Sequence, residues 1–242
     1  MHVGVAAEKI FTVFSWPVSN TVLTAWIAII LLSVLAFMAT RNMKRVPSGL
    51  QNFFEWVIES LFGIAEEFMG DRKKTIIFFP LLATLFIFII ATNWLGLLPG
   101  FGSIGWHEGE EFVPLLRSTN ADMNTTLMLA VVSVVSIQIG GIMALGFFKY
   151  WNKFITFKNP MAFFIGLIEL VSEAAKLISF SFRLFGAVFA GEVLLTVIAS
   201  LAPYLLPLPF YGLEIFIGGI QALVFMLLTT VFIKLATTEA GH

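Results

Sequence analysis

The sequence predicts an all-α integral membrane protein with about five membrane helices, two of them long, tilted and C-terminal, plus one amphipathic helix on the cytoplasmic side. Three observations carry that prediction. Of 242 residues, 59% are hydrophobic and only 12% charged, about half the ~25% charged share of a soluble domain. Mean hydropathy is +0.95, and several apolar stretches are long enough to cross ~30 Å of hydrocarbon. Finally, the basic residues gather in the segments between those stretches.

The candidate spans are 21–39, 75–98, 123–148, 162–201 and 211–237. A helix over 162–201 would reach about 60 Å, twice the hydrocarbon thickness, so it must bend, break or lie steeply tilted. Residues 48–69 differ in pattern. Leu50, Phe53, Phe54, Val57, Leu61, Ile64 and Phe68 recur at three- and four-residue spacing, with Glu55, Glu59, Glu66 and Glu67 between them. That is an amphipathic helix lying at the surface or against other helices, and Pro47-Ser48-Gly49 supplies its start. Asp122 and Asn124 open the third span, where an N-cap reading competes with a functional one. No inverted repeat of the secondary-transporter kind is visible. The expected organisation is one membrane domain over 1–242.

Charge sets the orientation. With alternating spans, Arg41, Lys44, Arg45, Arg72, Lys73, Lys74, Lys149, Lys153, Lys158 and Lys234 fall on one side, and Lys9 and Arg117 on the other. The positive-inside rule then puts the first group in the cytoplasm, the N-terminus outside and the C-terminus in the cytoplasm. The outer loop 99–121 carries Glu108, Glu110 and Glu111. Cysteine is absent, which excludes disulfides, thiolate metal sites and cysteine nucleophiles. His2, His107 and His242 read as solvated residues, not metal ligands. No removable signal peptide is expected. The 27 Phe and 6 Trp read as lipid-facing and interfacial surface, with no cofactor box among them. Nothing in the charge pattern suggests nucleic acid.

The residue that points to function is Arg183, in Ser179-Phe180-Ser181-Phe182-Arg183-Leu184-Phe185-Gly186, with no other charge within four residues. A guanidinium at membrane depth costs ~2.5–3.5 kcal/mol on insertion scales and by default marks function. It cannot lose its proton at accessible pH. On a helix, Glu169, Ser172, Lys176 and Ser179 fall within about 40° of Arg183 around the axis, forming one polar stripe. The same face continues outward through Gly186, Ala187 and Ala190, small residues that admit another helix closely. Glu192 lies ~13 Å further along the axis on the opposite face. In the last span Glu214 and Gln221 share a face, with Gly218 between them. Two sets of carboxylates, Glu192 with Glu214 outside and Glu169 with Glu173 inside, therefore flank Arg183. That layout suits two half-channels that do not connect directly. A plainer reading competes for part of the set: Glu173 and Lys176 are i,i+3 neighbours that can pair with each other, and Ser172 and Ser179 can serve helix packing.

Arg183-Leu184-Phe185-Gly186 followed by Ala190-Gly191-Glu192, then Gln221-Ala222, resembles subunit a of F-type ATP synthases. The resemblance extends to Pro47-Ser48-Gly49-Leu50-Gln51-Asn52, to Asn93…Gly96-Leu97-Leu98-Pro99, and to Ala121-Asp122-Met123-Asn124-Thr125-Thr126-Leu127, in the right order from about residue 40 onward. It implies a non-catalytic, proton-translocating stator subunit; the positive-inside pattern places it in the bacterial inner membrane, with an organelle-encoded copy as the alternative. Arg183 would face the essential carboxylate of the rotating ring of c subunits and gate the two paths. Glu192, Glu214, Gln221 and Asn124 would line the non-cytoplasmic path, and Glu169, Ser172, Glu173 and Lys176 the cytoplasmic one. The implied partners are the c-ring, the b subunits of the peripheral stalk and lipid; the implied ion is H⁺. No cofactor or metal is implied. Two positions depart from the family pattern: Ala187 stands where many members have Asn, and Glu214 where His is frequent. The second departure puts two carboxylates, Glu192 and Glu214, where they could share a proton. Two rivals predict different things. A stand-alone proton-coupled transporter calls for paired broken helices and a substrate cavity, and a purely structural subunit for charges that only pair internally.

Overall fold

The computed structural model describes residues 8–13, 16–98, 104–108, 111–152, 154, 160–202 and 205–238. Lys153, Lys158, Pro99, His2, His242 and Glu110 lie outside the described residues. In chain order the elements are β1 (Lys9–Val13), β2 (Trp16–Ser19), α1 (Asn20–Thr40), α2 (Leu50–Met69), α3 (Arg72–Gly96), β3 (Gly105–Glu108), β4 (Glu111–Pro114), a single 3-10 turn (Thr119–Ala121), α4 (Met123–Leu145), α5 (Phe147–Asn152), α6 (Pro160–Leu201) and α7 (Pro207–Thr237). The all-α membrane class holds. Five helices, α1, α3, α4, α6 and α7, are long and apolar enough to cross a membrane.

The helix ends follow local chemistry. Asp71 caps α3 by accepting from the backbone N–H of Lys73 at 2.8 Å, so the helix starts three residues before the expected 75. Gly146, at φ +84°, ends α4 at Leu145 and not at 148. Proline at the first turn starts α7 at Pro207 and not at 211, because its missing N–H costs nothing there. The expected 162–201 is one unbroken 42-residue helix, α6. At ~1.5 Å per residue it exceeds the hydrocarbon thickness about twofold. Additions to the sequence reading are α5 and two antiparallel hairpins, β1–β2 and β3–β4, with Val13 opposite Trp16 and Glu108 opposite Glu111. The second hairpin lies in the stretch 99–121 expected to be a loop.

Helix α7 is the hub, packing against α2, α3, α4 and α6. One apolar cluster brings Leu61, Ala65 and Met69 of the amphipathic α2 onto Leu82, Ile137, Met226 and Ile233. A second joins Leu85, Ile89, Ala130, Phe180, Leu184, Ala222 and Phe225 from α3, α4, α6 and α7. Within the most apolar windows of the five spans only 17–33% of residues are buried inside the chain. Most of each span therefore faces lipid or another protein. The connection into α2 is closed by Gln51, whose side-chain amide accepts from Lys44 N at 3.0 Å and donates to Lys44 O at 2.9 Å.

Helix α4 approaches its neighbours through glycines. A Cβ on Gly140 would lie 2.9 Å from Phe78 Cζ, and one on Gly141 would lie 2.8 Å from Tyr150 Cζ. Tyr150 is 2% exposed and hydrogen-bonded to Gln138, so its ring has little room to yield. Gly141→Val is expected to destabilise the protein by about 1–3 kcal/mol through overpacking. Lowered thermal stability of the detergent-solubilised protein measures this, with Gly186→Ala, whose Cβ would meet nothing within 4 Å, as the comparison.

Candidate functional site

Arg183 stands on the side of α6 turned away from the bundle. Its helix buries Phe180, Leu184, Leu195 and Ile198 inward, and the 3.6-residue period then sends Ser172, Ala175, Ser179, Arg183, Gly186 and Ala190 outward, all of them exposed. Along the half of this face toward the α6 N-terminus, the end the sequence reading expects to be the inner one, runs a groove of about 290 Å³ lined by Ser172, Ala175, Lys176, Ser179, Phe180 and Arg183 of α6 and Leu228 and Phe232 of α7. The guanidinium therefore sits at the outer end of a polar-lipped groove, with small residues on either side along the helix.

At the inner end the polar stripe is knitted together. Lys176 Nζ donates to Glu173 Oε1 at 2.6 Å and lies 4.8 Å from the centre of the Phe232 ring. Gln138 of α4 donates to the other Glu173 oxygen at 2.8 Å and accepts from the Tyr150 hydroxyl at 2.5 Å. The i,i+3 pairing of Glu173 with Lys176 read from the sequence is present. Burial first, then the charges of Glu173 and Glu169, push the Tyr150 phenol up to about 12. Ser172 is exposed in the groove, and Glu169 is half-buried one turn further in.

The opposite end, which the sequence reading expects to be the outer one, has two different carboxylates. Glu192 is held by Arg117, whose Nε and Nη2 donate to its oxygens at 3.1 and 3.3 Å. Arg117 is 7% exposed although it comes from the connection between β4 and the 3-10 turn. Glu214, also 7% exposed, makes no hydrogen bond or ion pair among the described residues, and its carboxylate fills the space where a Cβ on Gly191 would be. Gln221 is half-buried one face along, its Oε1 closed off without a hydrogen-bond partner. Asn124 is exposed, and both its backbone N–H (3.0 Å) and its side-chain amide (3.2 Å) donate to Asp122 Oδ1. Of the two N-cap candidates Asp122 is the cap.

A buried polar clamp sets the outer geometry. Asn120 donates to Thr92 Oγ1 at 2.8 Å and to Asn93 Oδ1 at 2.7 Å, and Asn93 donates to the Gly218 carbonyl at 3.0 Å. Thr21 donates to Asp122 Oδ2 at 3.0 Å, and Thr126 shares a hydrogen bond with Ser181 at 3.3 Å. The clamp thus ties α1, α3, the 3-10 turn, α4, α6 and α7. In the sequence Arg117 reads only as a loop charge, and no local signal singles out Gln138, Tyr150 or Asn120. Glu192 and Glu214, which the sequence allows to share a proton, have no hydrogen bond between them among the described residues, and Glu192 is engaged by Arg117.

Compared with known proteins, residues 22–234 match the family described as ATP synthase A chain. An ATP synthase subunit a of Geotalea uraniireducens (strain Rf4) is 38% identical over 227 residues, covering 93% of this chain and 90% of the relative. One from Trichlorobacter lovleyi is 37% identical over 224 residues, covering 92% and 89%. Another, from Campylobacter jejuni subsp. doylei, is 38% identical over 210 residues, covering 86% of each.

The inner cluster makes its own prediction. A phenol pushed up to about 12 keeps its proton more firmly folded than unfolded. Its contribution to stability is whole below the ordinary tyrosine range and is lost as pH rises from about 10 through 12. The difference in tyrosinate absorbance between the native protein and Tyr150→Phe is expected to show a step near the raised value. A step at the ordinary value contradicts the buried geometry.

Proposed function

This chain belongs to the ATP synthase A chain family, and from that membership we propose that it is the stator subunit a of an F-type ATP synthase, carrying protons to and from a rotating ring and making no covalent bond itself. The observation that carries the reading is the placement of Arg183. Among the described residues, Arg183 of α6 and Glu214 of α7 have neither a hydrogen bond nor an ion pair, whereas Glu173, Lys176, Glu192 and Lys234 are each engaged. Glu214 is buried, whereas Arg183 is presented outward on a face of small residues. A cation left open at membrane depth, where a second helix can approach closely, fits a carboxylate brought by another chain.

On this reading the c-ring runs past the outward face of α6. Arg183 favours the ionised form of each arriving ring carboxylate by opposite charge, so the proton leaves on one side before a new one is taken on the other. The same fixed charge repels a proton trying to pass straight across. Glu214, Gln221 and Glu192 border the non-cytoplasmic path, with Asn124 at its rim. Ser172 and Glu169 border the cytoplasmic path, and Glu173 and Lys176 form its paired wall. The exposed side of α2, with Phe53 and Trp56 beside Glu55 and Glu59, suits the b subunits of the peripheral stalk. The protein lies in the bacterial inner membrane with its C-terminus cytoplasmic, as one membrane domain.

Arg183→Ala is expected to reduce ATP-driven proton pumping to background in vesicles carrying the complex at matched subunit content. Pumping at the native level would leave Arg183 as a structural charge and overturn the reading. Mild-detergent purification is expected to bring ring and stalk subunits with this chain, which a stand-alone transporter would not do. Orientation has a simple test because the chain has no cysteine. Thr238→Cys is expected to react with a membrane-impermeant maleimide in inverted vesicles and to stay unlabelled in right-side-out ones.

A further inference from the structure

Two cations line the groove on α6, and they are engaged differently. Lys176 and Arg183 both border it, two helical turns or about 10 Å apart along the axis. Among the described residues Arg183 has neither a hydrogen bond nor an ion pair. Lys176 Nζ, by contrast, donates to Glu173 Oε1 at 2.6 Å and lies 4.8 Å from the centre of the Phe232 ring. The carboxylate that takes Lys176 is itself fixed from the side. Its Oε2 accepts from Gln138 Nε2 at 2.8 Å, and Gln138 Oε1 accepts from the Tyr150 hydroxyl at 2.5 Å. The donors run one way, from Tyr150 through Gln138 to Glu173, which gives the amide a single orientation. Tyr150 has little room to move. The chain turns back at Gly146, at φ +84°, and α5 lays the phenol ring where a Cβ on Gly141 would be, edge-on to Phe154 at 5.5 Å between centroids. Helices α4, α5 and α6 thus converge on one carboxylate that holds an ammonium at the groove wall.

We propose that Tyr150 and Gln138 are positioning residues that keep Glu173 on Lys176, so that of the two cations lining the groove only Arg183 is left open to an incoming carboxylate. The inference rests on the stator reading above and adds a neutralising device to it. A ring carboxylate entering the groove is drawn to any uncompensated cation, because an opposite charge nearby favours its ionised form. A second open cation two turns from Arg183 would hold that carboxylate beside the wrong residue and delay its passage. Lys176 is suited to such trapping, since its ammonium rides on a flexible four-carbon stem. As an ion pair, Lys176 and Glu173 carry no net charge. What the groove then offers a carboxylate is Arg183 and the hydroxyls of Ser172 and Ser179.

Coupling to Lys176 in the assembled complex tests this, read as ATP-driven pumping at matched subunit content. Glu173→Gln removes the counter-charge while keeping the side chain's shape, and is expected to lower pumping by at least about tenfold. Gln138→Leu and Tyr150→Phe loosen the hold on Glu173 and are each expected to lower it about threefold. Adding Lys176→Met to each variant, with Lys176→Met alone completing the cycle, removes the freed cation. Pumping is then expected to rise above the matching single variant, at least about fivefold for Glu173→Gln and about twofold for the other two. A packing defect lacks this coupling, because losing Lys176 leaves it in place or deepens it. Lys176→Gln serves where the methionine variant does not assemble. The proposal falls if Glu173→Gln pumps like native protein. It falls equally if neither Lys176 substitution raises pumping in the Glu173→Gln background, whether through loss of the path or of assembly. If Glu173→Gln recovers but Gln138→Leu and Tyr150→Phe do not, their positioning role is overturned. Arg183→Ala in the same vesicles separates the two levels. Pumping that survives it would sink the stator reading, whereas its loss beside an unrecovered Glu173→Gln would sink only the neutralising role.

Discussion

A charge inside a slab of low dielectric has to be neutralised by something close, and the arrangement of α6 and α7 follows from how each charge meets that demand. Glu173 is met by Lys176 and Gln138, Glu192 by Arg117, and Lys234 reaches the Phe68 carbonyl at 3.1 Å. Such internal settlements hold helices in register, because breaking one leaves a partner stranded. Among the described residues Arg183 has no such partner, and its helix turns it outward. A counter-charge brought by another molecule, as proposed above, would meet that demand.

The polar clamp at the outer end serves this arrangement mechanically. Long helices packed mainly through apolar surface slide readily, since lipid tails are as apolar as the side chains between helices. Hydrogen bonds from Asn120, Asn93, Asp122 and Thr126 have direction and fixed length, so they index α3, α4, α6 and α7 against one another. With the outer ends indexed and the inner end of α6 tied through Glu173 to Gln138 and Tyr150, the stretch around Arg183 is held from both sides.

What the sequence disclosed and what it withheld divide along a physical line. Spans are visible because a run of twenty or more apolar residues matches the thickness of a bilayer and little else, and Arg183 because a lone charge in such a run is costly. Pairing along one helix is visible too, as with Glu173 and Lys176, since helical period places i and i+3 together. Pairings between distant segments are not. Arg117 and Glu192 are 75 positions apart and Gln138 and Glu173 are 35 apart, and no local pattern announces either. The hairpins stay hidden because four- and five-residue strands are too short to show a period against their surroundings. Helix ends move by a few residues wherever a cap or a proline overrides hydropathy, as at Asp71, Gly146 and Pro207.

Gly191 leaves its side-chain space to the Glu214 carboxylate, so two residues on different helices divide one volume between them. A change at either one is therefore felt at the other. A side chain at 191 would push the Glu214 carboxylate out of the place it now holds, and exchanging one helix for that of a relative would carry half of the arrangement into a partner not shaped to receive it.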